Sequence, residues 1–195
     1  MTRREAAAGD RLIAVSGLRA GFGRPVVGPL DFTVDRGEVV GLRGPNGAGK
    51  TTVIEALIGE AGLFGGTIER PERVAIAYQR QRLPDVSGLP IAGTDIVRVM
   101  GVRPDDLPVP VRGRLDIRVD RLSLGQRQLL FVGVALAAPA ALVILDEPTN
   151  NLDPEAVAEV VAAIKDGPKE RGILLVSHDS RFVETVCTHT VEVRP

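Results

Sequence analysis

A glycine-rich run that contains a lysine is the segment whose residue types point most directly to chemistry. It reads Gly44-Pro45-Asn46-Gly47-Ala48-Gly49-Lys50-Thr51 and fits the pattern G-x-x-x-x-G-K-[ST] in full. Glycines let successive backbone N–H groups turn inward around phosphate oxygens, and the N-terminus of a following helix favours negative charge. We expect Lys50 to reach the outer phosphates of a nucleotide and the Thr51 hydroxyl to help hold Mg²⁺. The alternative is a glycine-rich turn without a ligand, which the complete motif disfavours.

Two adjacent acids follow a continuous apolar run. Residues 141–145 are typical of a central parallel strand, which would deliver Asp146 and Glu147 at its carboxyl end, beside the phosphates. There Asp146 can bind Mg²⁺ through water, and Glu147 can orient or deprotonate an attacking water molecule. In isolation, such an acidic pair is as often a helix cap or a solvated turn. Its combination with a phosphate-binding loop favours the chemical role.

Apolar runs alternate with helical patterns along the chain, which indicates strands interleaved with helices in an α/β sheet. The predicted strands are 12–15, 32–34, 39–42, 67–68, 74–78, 141–145, 173–176 and 190–193. The predicted helices are 51–58, 94–100, 124–137, 155–164 and 181–186, with Thr94 and Ser123 as N-caps of the second and third. Five prolines interrupt the pattern between residues 83 and 122, so no element beyond the helix at 94–100 is predicted there.

With these motifs in order, the chain resembles the ATP-binding cassette (ABC) ATPases over nearly its whole length. Leu122-Ser123-Leu124-Gly125-Gln126 is similar to the family signature LSGGQ, and it precedes Asp146 at the spacing usual in the family. The segment 148–153 is similar to the one that follows the catalytic glutamate and ends in the D-loop, and His178 resembles the switch histidine. Each motif alone is weak, but six in this order make the resemblance specific.

The resemblance also implies nucleotide contacts outside the phosphate loop. Gln81 is similar to the Q-loop glutamine, because an aromatic residue two or three places earlier is typical, and Gln79 is the alternative. Phe22 stands where the family places an aromatic residue that stacks on adenine. The implied catalytic residues are Glu147, His178 and Gln81, and the implied Mg²⁺ contacts are Thr51, Gln81 and Asp146. The implied ATP contacts are Phe22, Gly44, Pro45, Asn46, Gly47, Ala48, Gly49, Lys50, Thr51, Thr52, Ser123, Gly125 and Gln126.

The fold that the resemblance implies is an α/β P-loop NTPase of the ABC type. We expect a RecA-like core with a small antiparallel β region and a reduced helical subdomain. Residues 1–195 would form a single nucleotide-binding domain, with the helical subdomain, residues 82–125, inserted in the core. Its ligands would be ATP and Mg²⁺.

A second anion site is expected where the signature begins a helix. Ser123 and Gly125 would offer a hydroxyl, bare N–H groups and the positive end of the helix dipole. In one chain this site would lie far from Lys50, so it implies a partner. In the family it meets the γ-phosphate of ATP held by the other subunit of a head-to-tail dimer. The alternative role of Ser123 is a simple N-cap. Leu124 replaces the first glycine of the signature, yet Ser123 and Gly125 remain, so we expect function to survive.

Composition excludes other classes. The chain has 24 Lys+Arg and 25 Asp+Glu, a net charge of −1, which disfavours a general polyanion binder, so no specific nucleic acid partner is expected. Cys187 is the only cysteine, which excludes internal disulfides. The sequence contains neither a signal peptide nor an apolar run long enough to span a membrane. We therefore expect a cytoplasmic protein that is peripheral at the inner face of a membrane when bound to a permease.

Two functions are compatible with the resemblance. The first is the ATP-hydrolysing subunit of an ABC transporter, working through nucleotide-driven dimerisation as a homodimer or a pair with a related cassette. It would act with a separate membrane-spanning permease, which would dock on an exposed apolar patch at Leu83, Val86, Leu89 and Ile91 unless these residues only pack the subdomain. The second is a soluble translation-associated (ABC-F-like) ATPase acting on ribosomes, because segments 147–153 and 177–181 look similar to that branch. Those proteins carry two cassettes, whereas one is visible in this sequence.

Overall fold

The computed structural model describes residues 10–86 and 88–194, which fold around two β-sheets. A three-stranded antiparallel sheet has the order β2-β1-β4, with β1 Arg11–Gly21, β2 Pro25–Asp35 and β4 Gly62–Glu69. A parallel sheet has the order β5-β6-β7-β3-β8, with β3 Val39–Arg43, β5 Ile76–Gln79, β6 Leu142–Asp146, β7 Gly172–Val176 and β8 His189–Glu192. The helices are α1 Lys50–Leu57, α2 Gly93–Val99, α3 Val109–Arg112, α4 Leu124–Ala137, α5 Pro154–Lys165 and α6 Ser180–Val186.

The parallel sheet is the wall between two hydrophobic clusters. Every residue of β6 and β7 is buried, as expected for strands covered on both faces. Because side chains alternate along a strand, Val143 and Leu145 join a cluster with the helices α4 to α6. Leu142 and Ile144 join a cluster with α1 and the antiparallel sheet. The predicted α/β fold is thereby confirmed.

The antiparallel sheet is more extensive than the sequence predicts. The predicted strands 12–15, 32–34 and 67–68 lie inside longer strands of eleven, eleven and eight residues. Register shifts interrupt both pairings of β1, for example between Val15 and Leu18 in its pairing with β2. Such bulges break the two-residue alternation of apolar side chains, so the pattern ends before the strand does.

Prolines begin helices in the region between 83 and 122 instead of excluding them. Pro104 begins a 3₁₀ turn, 104–106, and Pro110 lies in the first turn of α3, where a missing N–H costs little. A second 3₁₀ turn covers 119–121. The prediction of Thr94 as an N-cap was wrong: the cap is Ala92, because the Asp95 carboxylate accepts the Ala92 N–H at 2.9 Å.

Most of the residues of the expected apolar docking patch are buried or partly buried. Val86 is only 7% exposed and lies in the helical cluster, and Ile91 is partly buried against the same cluster. Leu83 is half-buried, whereas Leu89 is exposed. The prediction of Val86 as an exposed residue was therefore wrong.

Helix α4 is held at both ends. At its start, Ser123 Oγ accepts the Gln126 N–H at 3.2 Å and Gln126 Oε1 accepts the Ser123 N–H at 3.1 Å, a capping box. The prediction of Ser123 as an N-cap is confirmed. At its end, the Arg171 guanidinium donates to the carbonyl of Leu136 in the last turn, which a helix terminus leaves without an intrahelical partner. It also donates to the carbonyls of Ala138 and Ala140, which follow the helix. Within residues 10–86 and 88–194, no helix is long and apolar enough to cross a membrane.

Candidate functional site

The glycine-rich loop joins β3 to α1 through left-handed backbone. Gly44 and Gly49 have φ values of 151° and 91°, which L side chains rarely adopt. A Cβ on Gly44 would lie 2.3 Å from Val193 O, and one on Gly49 would lie 2.7 Å from Val27 Cβ. No side chain caps α1, so the N–H groups of its first turn are available to an anion.

Lys50 connects two carbonyl groups of the glycine-rich loop. Its Nζ donates to Gly44 O at 2.8 Å and to Pro45 O at 2.9 Å. An ammonium has three donors, so one remains for a ligand. The positive charge is thus held over the same loop whose glycines leave room for phosphate oxygens.

Asp146 ends β6 as a buried carboxylate with an unsatisfied oxygen. The Thr51 hydroxyl lies 3.3 Å from Oδ2 and can donate to it, whereas Oδ1 is buried with no hydrogen-bond partner. Burial raises the pKa of Asp146 to about 6, and the negative charge of Glu147 adds to the rise, whereas the hydroxyl groups of Thr51 and Tyr78 oppose it by hydrogen bonding to the carboxylate. A buried unpaired carboxylate oxygen is costly unless a cation or a donor completes it.

These residues fit a Mg²⁺ ion that arrives with a phosphate ligand. Across residues 10–86 and 88–194, no three His, Cys, Asp or Glu side chains cluster in a way that could hold a metal ion. Mg²⁺ is commonly bound by one or two protein groups together with substrate phosphates and water. The orphan Oδ1 of Asp146 beside the Thr51 hydroxyl suits that arrangement better than a self-sufficient metal centre.

Glu147 is held in a strained conformation by its neighbours. Its φ is +52°, a value unusual for a residue with a side chain. Its N–H donates to Val176 O at 2.8 Å, and its Oε2 contacts both the ring Nδ1 and the backbone N–H of His178. The structure therefore brings the predicted pair Glu147 and His178 into direct contact.

One cavity of about 370 Å³ gathers most of the predicted residues. It is lined by Val26, Asn46, Gly47, Gly49, Lys50, Thr51, Thr52, Gln81, Asp146, Glu147 and Val176. Strands β3 and β6 end at the same height of the sheet, because Leu42 and Asp146 both pair with Val176 of the intervening β7. The glycine loop after β3 and the acids after β6 therefore lie at one edge of the sheet. Gly44, Pro45 and Ala48 shape the loop without lining the cavity, and Ala48 is fully buried.

The two glutamines that the sequence leaves as alternatives occupy different places. Gln81 is exposed and lines the cavity. Gln79 is buried in β5, where its Nε2 donates to Arg80 O. Phe22 does not line this cavity either; it lies just after β1 with 58% of its surface exposed, free to contact a ligand.

The signature residues lie apart from the phosphate loop within one chain. Ser123, Gly125 and Gln126 line a separate cavity of about 360 Å³ together with residues of the 151–156 segment. Ser123 serves as the N-cap, which uses its oxygen as an acceptor and leaves its O–H able to donate. Leu124 is exposed beside it.

Three residues near the site were not predicted. Val26 and Val176 line the cavity, and Gln128 of α4 donates from Nε2 to the carbonyls of Glu147 and Pro148. A signal for Gln128 exists in the sequence, because a polar residue falls on the buried stripe of a predicted helix. The two valines carry no such signal, since only the fold brings them to the loop.

The sequence matches the ABC transporter family over residues 27–150. It is 31% identical to the energy-dependent translational throttle protein EttA of Escherichia coli over 94% of this chain, but it spans about a third of the length of that relative and of several others. It is 32% identical to the zinc import ATP-binding protein ZnuC of Marinobacter nauticus, with 89% of this chain and 71% of ZnuC covered.

Solved structures agree with this assignment. An ATP-binding subunit of an ABC transporter superposes with a TM-score of 0.81 at 26% identity, covering 94% of this chain and 86% of the other. The two sheets, the glycine loop and the acids after β6 have the arrangement expected for the P-loop fold. The chain therefore belongs to the ABC transporter family and is an ATP-binding ATPase domain of that family.

Proposed function

We propose that the chain binds ATP with Mg²⁺ in the cavity beside Lys50 and hydrolyses it to power an ABC transporter. The unpartnered Oδ1 of Asp146, next to the Thr51 hydroxyl and the glycine loop, is the observation that carries the proposal. This oxygen lies where Mg²⁺ brought by a phosphate would satisfy it.

Hydrolysis proceeds by attack of water on the γ-phosphate, in line with the leaving oxygen. Glu147 accepts the proton of the attacking water, and His178 orients its carboxylate. The remaining N–H of Lys50 and the N–H groups at the start of α1 bind the phosphate oxygens, where negative charge is spread in the transition state.

Thr51, Asp146 and Gln81 would hold Mg²⁺, which supplies neutralisation of the phosphate charge when it is bound. Thr51 and Asp146 lie in hydrogen-bond range of each other, so a small cation can be shared between them and a phosphate. Phe22 contributes an exposed aromatic face for the adenine ring.

Two such domains act together in a head-to-tail dimer, either of identical chains or of this chain and a related cassette. Ser123 and Gly125 of one subunit contact the γ-phosphate held by the other. The two cavities support this arrangement, because the one lined by the signature residues shares no lining residue with the one beside Lys50. Residues 82–125 serve as the helical subdomain of a single cassette.

In the transporter role, the domain sits at the cytoplasmic face of a membrane and binds a separate permease. The similarity to ZnuC over most of its length supports this role. A second candidate is an ABC-F-like role on ribosomes, which the similarity to EttA over nearly the whole of this chain favours.

A Glu147→Gln variant separates the two roles, because it should trap the ATP-bound state on its partner. Cells expressing it are fractionated with ATP and Mg²⁺ into ribosomes and membranes. ATP-dependent recovery with membranes supports the transporter role, and recovery with ribosomes overturns it in favour of the second candidate. Lys50→Ala combined with Glu147→Gln is the control that should release either partner.

A further inference from the structure

Gln128 is a buried polar side chain in a helix that is otherwise apolar on its inner face. It lies in the second turn of α4 with 1% of its surface exposed. Burying an amide costs free energy unless its hydrogen bonds are made, so the partners of Gln128 decide whether its burial is tolerated. Its Nε2 donates to Glu147 O and to Pro148 O, each at 3.2 Å.

These two carbonyls belong to the turn that carries the catalytic base. Glu147 O also accepts the Asn150 N–H at 3.2 Å. A residue with a side chain at φ +52° persists only where its surroundings hold it there. Gln128 supplies part of that restraint from α4, at the backbone of the residue whose carboxylate faces the cavity.

Helix α4 touches the other end of the same turn as well. Asn151 is the second described residue other than glycine with a positive φ, at +62°. A Cβ added to Gly125 would lie 2.6 Å from Asn151 O, so the first turn of α4 packs directly on that carbonyl. The helix that carries the signature thus contacts both ends of the turn 147–151 in its own chain.

We propose that Gln128 is a positioning residue for Glu147, which acts from α4 through the backbone carbonyls of Glu147 and Pro148. This inference rests on the proposed function of Glu147.

The test replaces Gln128 with methionine, which keeps the length of the side chain and removes both donated hydrogen bonds. Leu130→Met is the matched control, a buried residue of the same helix whose side chain makes no polar contact with the turn. We expect Gln128→Met to lower kcat at saturating ATP by about tenfold or more, since small misplacements of catalytic groups cost this much. The Kd for ATP should stay within about threefold of the wild-type value, because the phosphate loop is untouched.

A second measurement distinguishes positioning from general loss of structure. In a Glu147→Gln background, Gln128→Met should lower the residual rate no further, because the group that it positions is already absent. An equal tenfold loss in both backgrounds would overturn the proposal, as would a kcat like that of Leu130→Met.

Hydrogen exchange tests the restraint without catalysis. The N–H groups of Glu147 and Asn150, both hydrogen-bonded in the native turn, should exchange about tenfold faster in Gln128→Met than in Leu130→Met. Unchanged exchange would overturn the proposal. If no variant hydrolyses ATP but exchange accelerates, the positioning of Glu147 stands and the proposed hydrolysis fails.

Discussion

Glu147 Oε2 lies 2.8 Å from the ring Nδ1 of His178 and also accepts the backbone N–H of His178 at 3.2 Å. A carboxylate oxygen accepts hydrogen bonds, so a His178 ring with its hydrogen on Nδ1 donates to Glu147 and presents Nε2 as its second ring nitrogen. The Glu147 side chain is 10% exposed and that of His178 is 68% exposed. The histidine can therefore respond to a ligand at the surface while the carboxylate stays fixed beneath it.

Glu147→Gln should convert the protein into a dimer that ATP stabilises. The amide keeps the shape and an acceptor for His178 but cannot take a proton from water, so hydrolysis should slow by ~10²–10⁴-fold. Lys50, Thr51 and Asp146 still bind the nucleotide. Size-exclusion chromatography with light scattering, with and without Mg-ATP, measures the dimer.

Ser123→Arg is the control for that dimer. It adds bulk and charge at the signature, away from the cavity that Lys50 lines. Combined with Glu147→Gln, it should bind ATP and remain monomeric. A Glu147→Gln chain that binds ATP yet stays monomeric at high concentration would contradict the head-to-tail arrangement, or require a partner for closure.

Lys50→Ala should reduce ATP turnover by roughly 100-fold or more, because a positioned cation on the phosphate oxygens is lost. The loop should also loosen, since Nζ bridges Gly44 O and Pro45 O. Lys165→Ala, at the end of α5, is the matched control and should retain activity. Unimpaired ATP turnover in a folded Lys50→Ala protein would contradict the assignment of Lys50 to the phosphate-binding site.

Asp146→Asn should stabilise the protein without nucleotide and weaken its binding of Mg-ATP. Because the pKa of Asp146 is raised from 3.8 to about 6, the folded state holds the proton more tightly than the unfolded state. The wild type therefore loses stability as pH rises from about 4 to about 6. Removing the charge should recover roughly 1–3 kcal/mol at pH 7. Thermal unfolding across this pH range, compared between wild type and variant, measures the difference.

The same protonation should weaken Mg-ATP binding by the wild type below about pH 6. The nucleotide gains a proton in the same pH range, since phosphate groups have a second pKa of about 6. Because Asp146→Asn lacks the carboxylate, the pH dependence of its Mg-ATP binding reports the protonation of the nucleotide alone. A wild-type pH profile parallel to that of the variant would argue against Asp146 as the group responsible.

Leu89→Asp and Val86→Asp should differ sharply. Leu89 is 47% exposed, so its charge should leave folding and ATP turnover intact while reducing co-purification with a permease. Val86→Asp buries a charge in the helical cluster and should destabilise the fold by about 3 kcal/mol. Tm and co-purification are measured for both. Co-purification unaffected by Leu89→Asp would exclude this surface.

The sequence predicted the parallel sheet well because its strands are continuous apolar runs. Strands β3, β6 and β7 lie within one residue of their predicted bounds. The antiparallel strands were underestimated because bulges hide the alternation, and α3 was missed because prolines were interpreted only as breakers. Both failures arise from features that depend on backbone geometry more than on side-chain pattern.

The candidate site likewise contains residues that a local motif predicts and residues that only the fold brings there. The glycine loop and the acids after β6 are local in sequence, so a motif suffices to find them. Val26 and Gln128 reach the site through tertiary packing, and no spacing in the sequence relates them to Lys50 or Glu147. Gly125 was predicted for phosphate contact, whereas the structure also requires its small size against Asn151 O.

Arg171 fixes the C-terminal end of α4, because it donates to Leu136 O within the helix and to two carbonyls just after it, so that this end is the pivot of the helix. Fourteen residues give α4 a length of about 21 Å at the usual rise. A tilt of about 3° at the Arg171 end therefore carries Ser123 through roughly 1 Å, the difference between a hydrogen bond and none. The displacement grows with distance from Arg171, so the two ends of α4 move by very different amounts. The signature end moves far enough to make or break a contact with a neighbouring subunit, while the end at Arg171 stays nearly in place.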